Sequence, residues 1–91
     1  MIIKISAEGV AITKRFFLAL DTLRMQRKIR GLKTITTKYG INYWNLSTVR
    51  KEPEKRLLKS EYLSFLVRDY DVSAEWLLCG RGGMFTESNP S

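Results

Sequence analysis

The sequence predicts an all-α domain of five short helices. Apolar residues recur at helical spacing in separate stretches, residues with capping side chains precede them, and glycines or a proline follow several of them. The connections at 40–42 and 71–73 are only a few residues long, which suits short amphipathic helices packed around one modest core.

Residues 1–12 alternate weakly, with Ile3 and Ile5 on one face and Ile2 and Lys4 on the other. They read as a short N-terminal strand or extended arm, which as a lone strand would need a partner edge. Thr13 is the expected N-cap of a first helix over about 13–28, with Phe16, Phe17, Leu20 and Leu23 on its inner face. Arg24, Arg27 and Lys28 suit its C-terminal dipole. A second helix over 32–39 turns Leu32, Ile35 and Tyr39 inward, and Gly40 supplies the left-handed stop. Asn42 caps a third helix over 43–51, held by Leu46 and Val49 and ended before Pro53. Lys55 to Lys59 form a loop in which Leu57 and Leu58 are expected to point inward. Ser60 is the expected cap of a fourth helix with Leu63, Leu66, Val67 and Tyr70 on one stripe. Ser73 caps a fifth, where Val72 and Leu77 can form a hydrophobic staple around the cap and Trp76 is expected in the core. Gly80 ends that helix, and 86–91 read as a flexible tail after a domain spanning 13–85.

Composition excludes several function classes. There is no histidine and one cysteine, so a Ser-His-Asp triad, a Cys-His pair, a His-containing zinc site and an internal disulfide are all ruled out. Cys79 stands in Trp-Leu-Leu-Cys-Gly and reads as an inert structural thiol. Gly80, Gly82 and Gly83 lack the preceding strand and following Lys-Ser/Thr of a phosphate loop, and Asp69 and Asp71 read as solvated or paired carboxylates. The expectation is a protein that is not an enzyme and uses no cofactor, metal or small-molecule ligand. The N-terminus shows neither a signal peptide nor a transmembrane pattern, so a cytoplasmic setting with no membrane partner is expected. Charge is the positive signal. Residues 14–59 hold 13 basic against 3 acidic side chains, whereas 60–91 hold 2 against 5. Such asymmetry suits a polyanion facing one part of the molecule.

Within 32–51, Ile35, Tyr39, Ile41, Leu46 and Val49 are apolar and Gly40 sits in the turn. One helix stops at Gly40, Ile41 plugs the corner, and the next helix leaves at a steep angle with its other face projecting outward. This pattern resembles the helix-turn-helix of the phage-repressor (lambda repressor-like, or Xre) DNA-binding family. A second stretch, Val-Ser-Ala-Glu-Trp-Leu-Leu-Cys-Gly-Arg-Gly within 72–82, resembles the end of many such domains. Together the two stretches place the resemblance over about 13–85. Two positions depart from the family pattern. Thr36 stands where a small residue, usually Ala, precedes the turn glycine by four, and Leu32 replaces the Gln that often begins the second helix.

The resemblance implies a compact five-helix DNA-binding domain of a bacterial, nucleoid-associated regulator. It would be a repressor or Cro-like homodimer reading a pseudo-palindromic duplex with its third helix, N-terminus first, in the major groove. It places Asn42, Tyr43, Trp44, Ser47 and Thr48 against base edges. Lys33, Lys38, Arg50, Lys51, Lys55, Arg56 and Lys59 are implied to contact phosphate. Trp44 lies off the stripe of Leu46 and Val49 and is expected to be exposed, while Tyr43, three before Leu46, can lean on the core edge. Residues 2–5, or the fifth helix with Met84 and Phe85, are candidate dimer surfaces. The competing reading is a protein-interaction module of antitoxin or anti-repressor type on the same scaffold, with Tyr43 and Trp44 as the anchor.

Overall fold

A computed structural model describes residues 5–86. They form α1 (Ala7–Met25), α2 (Leu32–Tyr39), α3 (Tyr43–Lys51), α4 (Ser60–Tyr70) and α5 (Ala74–Cys79). No strand occurs among the described residues beyond an isolated antiparallel bridge between Val72 and Phe85, so the all-α class predicted is the class observed. The helices fall into two compact units, residues 1–58 and 59–91.

In the first unit, α1 starts earlier than the alternating pattern suggests. Ser6, not Thr13, is the N-cap: its hydroxyl oxygen accepts from the Gly9 amide at 3.1 Å, and Glu8 adds a favourable charge in the first turn. Residues 7–12 are therefore helix rather than arm, and Thr13 lies buried in the helix interior. Gly9 lets Ile5 fold over this first turn, since a Cβ at residue 9 would stand 2.8 Å from the Ile5 Cγ2. The Ile5 amide donates to the Glu54 carbonyl at 3.3 Å, tying the start of the described chain to the segment after α3. Residues 1–4 of the expected arm lie outside the described residues.

The inner face of α1 buries Phe16, Phe17, Ala19, Leu20 and Leu23. The helix stops at Met25 instead of continuing to 28. Arg27 adopts a left-handed φ of 62°, the Arg27 amide donates to Arg24 O at 3.0 Å, and the Lys28 amide donates to Leu23 O at 3.0 Å. This is a Schellman termination with arginine in the position glycine usually takes. Buried Ile29 follows it.

The corner between α2 and α3 follows the local chemistry of the sequence. Gly40 has φ 65° and its amide donates to Thr36 O, as does the Ile41 amide at 2.9 Å. Ile35 and Thr36 are buried. The Thr36 hydroxyl donates to Lys33 O at 3.1 Å, so this buried hydroxyl is accommodated without an orphaned polar atom. Leu46 and Val49 are the buried residues of α3, which packs against both α1 and α2. The chain then turns with the Lys55 and Arg56 amides both donating to Glu52 O at 3.0 Å. Leu57, expected inward, is exposed beyond that turn, and Leu58 is half-buried.

In the second unit, Leu66 is the fully buried residue of α4, with Leu63, Val67 and Tyr70 half-buried beside it. Ser60 is the first helical residue and not the cap; Lys59 takes the cap position, whose extended backbone carries no side-chain capping bond. Asp71 takes a left-handed φ of 59°. Ser73 caps α5 by accepting from the Trp76 amide at 3.2 Å, and Val72 and Leu77 are both buried around that cap. Residues 84–86 fold back on the turn: the Ser73 amide donates to Met84 O and the Thr86 amide to Asp71 O, both at 2.8 Å. Thr86 is thus anchored, and the rest of the expected tail lies outside the described residues. Trp76 is half-buried rather than a core residue, and Cys79 is exposed rather than enclosed by apolar neighbours. α5 is under two turns long, too short to shield both. No helix among the described residues is long and apolar enough to cross a membrane.

Candidate nucleic-acid interface

The geometry of α3 separates its side chains into two faces. At about 100° per residue, Leu46 and Val49 lie close together and face the body of the unit. Trp44, Ser47, Thr48 and Lys51, at i, i+3, i+4 and i+7, share the opposite face. Trp44 is 72% exposed and Lys51 is exposed, whereas Ser47 and Thr48 are half-buried between them. Tyr43 is 38% exposed at the edge of this face, its ring 5.4 Å from the Trp44 ring at 86°, an edge-to-face pair.

Two of the polar residues expected to read bases are already partly committed. The Asn42 Oδ1 accepts from the Asn45 amide at 3.0 Å, so the residue works as the α3 cap and its amide NH2 is the group left for a ligand. The Thr48 hydroxyl donates to Trp44 O at 2.7 Å. In that rotamer its oxygen can only accept, which suits the amino groups of adenine or cytosine. Ser47 sits between them on the outward face.

The basic residues divide in the same way. On α2, Lys33 and Lys38 are exposed, with the Lys38 ammonium 5.4 Å from the Tyr39 ring centre. They line a shallow depression of about 520 Å³ with Arg30, Thr34 and Thr37. Lys55 is exposed, and Arg56 Nε donates to Glu52 Oε2 at 3.4 Å. Lys59 is exposed and belongs to the second unit.

Arg50 is engaged differently. One of its terminal nitrogens donates to both carboxylate oxygens of Asp21, at 2.9 and 3.0 Å, and its guanidinium carbon lies 5.6 Å from the Phe17 ring centre. This ion pair ties α3 to α1 across 29 positions of sequence.

Three contributors to this surface escape a reading of the sequence. Arg30 lines the depression beside Lys33 and Lys38. Asn45 is exposed next to Trp44. Asp21 is the carboxylate that takes up Arg50. The cationic run that includes Arg24, Arg27, Lys28, Arg30 and Lys33 was the available signal for the first; all five are exposed. The first unit's sequence carries 13 basic and 4 acidic side chains, the second unit's 3 and 5. The chain matches no family model, no curated protein and no solved structure.

Proposed function

We propose that this chain binds double-stranded DNA sequence-specifically, as a transcriptional regulator of phage-repressor or Cro type, with α3 in the major groove. The observation that carries the reading is the outward face of α3. It presents an aromatic, two hydroxyls and a lysine on a short helix anchored by Leu46 and Val49, just after a glycine turn and within the strongly basic unit. Lys33, Lys38, Lys51 and Lys55 serve as phosphate contacts around that face, and Arg30 joins them. A homodimer on half-sites about one helical turn apart, roughly 34 Å, is the assembly this reading implies.

Selection of bound sequences from random duplexes, followed by a salt titration on the selected site, tests it. The expected result is a recurring, pseudo-symmetric site whose affinity falls with a log–log slope of about −4.5 to −7, as for five to eight phosphate contacts. Failure to enrich any duplex, together with stoichiometric capture of one protein partner, would instead support the interaction-module reading. The exposed Tyr43–Trp44 pair favours that second reading, because aromatic anchors dominate protein interfaces.

A further inference from the structure

We infer that Trp44 is the specificity-determining residue of α3, and that its indole packs against the C5-methyl group of a thymine in the major groove. The inference rests on the duplex-binding reading above. Trp44 carries the largest apolar surface on the outward face, 72% exposed, and lies in the first turn of α3. That turn is the part of the helix that would penetrate deepest into the groove.

The indole offers one N–H donor and otherwise only apolar surface. A phosphate oxygen can accept from that N–H, but such a contact leaves the large apolar ring face with nothing to pack against. Along the major-groove edges every base presents hydrogen-bonding groups, thymine O4 included, and covering these with an indole would leave them unsatisfied. The C5-methyl of thymine is the one apolar group displayed there. The ring is also steadied: the Tyr43 ring stands edge-to-face against it at 5.4 Å, which reduces the rotamer freedom lost on contact. Lys51, two turns further along the same face, and the basic surplus of the unit supply the attraction that brings a duplex to it. Trp44 thus fixes one base pair of each half-site, while Ser47 and Thr48 complete the contact polar side.

The test uses the full chain and its selected duplex, with each thymine replaced in turn by uracil. This exchange removes one methyl and leaves base pairing intact. One thymine per half-site should bind about 4-fold more weakly as uracil, the effect of one buried methyl-sized group. Trp44→Ala should lose this preference and bind thymine and uracil duplexes equally, with an unchanged salt slope; Trp44→Phe should retain part of it. Circular dichroism and thermal unfolding check that each variant is folded. Specific binding by the wild-type chain with no thymine–uracil difference at any position overturns the role of Trp44 while leaving duplex binding standing. The same preference persisting in folded Trp44→Ala also overturns it. Absence of any duplex binding overturns both.

Discussion

Asp21→Asn is the most informative single perturbation of the proposed interface. Asp21 and Arg50 are 44% and 45% exposed, so their pair belongs to the weak class of partly solvated ion pairs, worth about 0.2–1 kcal/mol. The guanidinium near the Phe17 ring adds up to about 0.5–1 kcal/mol at such exposure. Because the amide can still accept one hydrogen bond, Asp21→Asn should destabilise by about 0.5 kcal/mol, a fall of roughly 2–4 °C in Tm. Its effect on DNA should be opposite in sign. The Arg50–Asp21 pair is neutral as a unit, so in the wild type it contributes nothing net to counterion release. Removing the carboxylate's charge leaves one uncompensated cation beside α3. The salt slope should steepen by about 0.9, so a fourfold rise in salt costs the variant an extra factor of about 3.5 in affinity. Fluorescence anisotropy across a salt series, with thermal unfolding in parallel, reads both effects. The double variant Asp21→Asn/Arg50→Gln keeps the sum of charges and should restore the wild-type slope. A double-variant slope shallower by a full phosphate contact would refute the reasoning, because Arg50 would then be serving phosphate despite Asp21.

Further outcomes follow from the same structure. Asn42→Ala should cost about 1 kcal/mol of stability by removing the α3 cap, and Asn42→Ser should restore most of it; if the two lose DNA affinity equally while only the first loses stability, the amide itself contacts the duplex. Arg27→Gly should raise unfolding free energy by about 1 kcal/mol by relieving the left-handed conformation, measured by urea denaturation. Leu46→Ala should destabilise by about 2–5 kcal/mol, since Leu46 is fully buried and anchors α3 on the body of its unit; a loss under 1 kcal/mol would mean the site collapses around the missing side chain.

The parts of the fold that rest on neighbouring residues were legible in the sequence. Gly40 and Asn42 set the end of α2 and the start of α3 through bonds spanning a few positions, and both boundaries coincide with those read from the pattern. Ser73 with Val72 and Leu77 marked α5 for the same reason. The ends of α1 were not legible. Thr13 was read as the cap where Ser6 serves, and the alternation of Ile3 and Ile5 suggested a strand although the helix begins two residues later. Arg27 carries no signal for a left-handed stop, since that conformation is usually marked by glycine. At the site, the outward position of Trp44 followed from its offset against Leu46 and Val49. The partner of Arg50 did not, because no local pattern links Asp21 to a residue on another helix.

The two tryptophans also divide the molecule optically. Trp44 lies in the first unit with its indole exposed, and Trp76 lies in the second, half-buried. Each unit therefore carries one tryptophan, which can be excited selectively over the tyrosines. In Trp76→Phe the remaining emission comes from Trp44 alone, starting near the solvent-exposed limit and shifting on contact with a ligand. In Trp44→Phe the remaining emission follows the second unit as it unfolds. Two such variants would tell whether the units melt together or apart, with no label added to a chain whose sole thiol, Cys79, stays untouched.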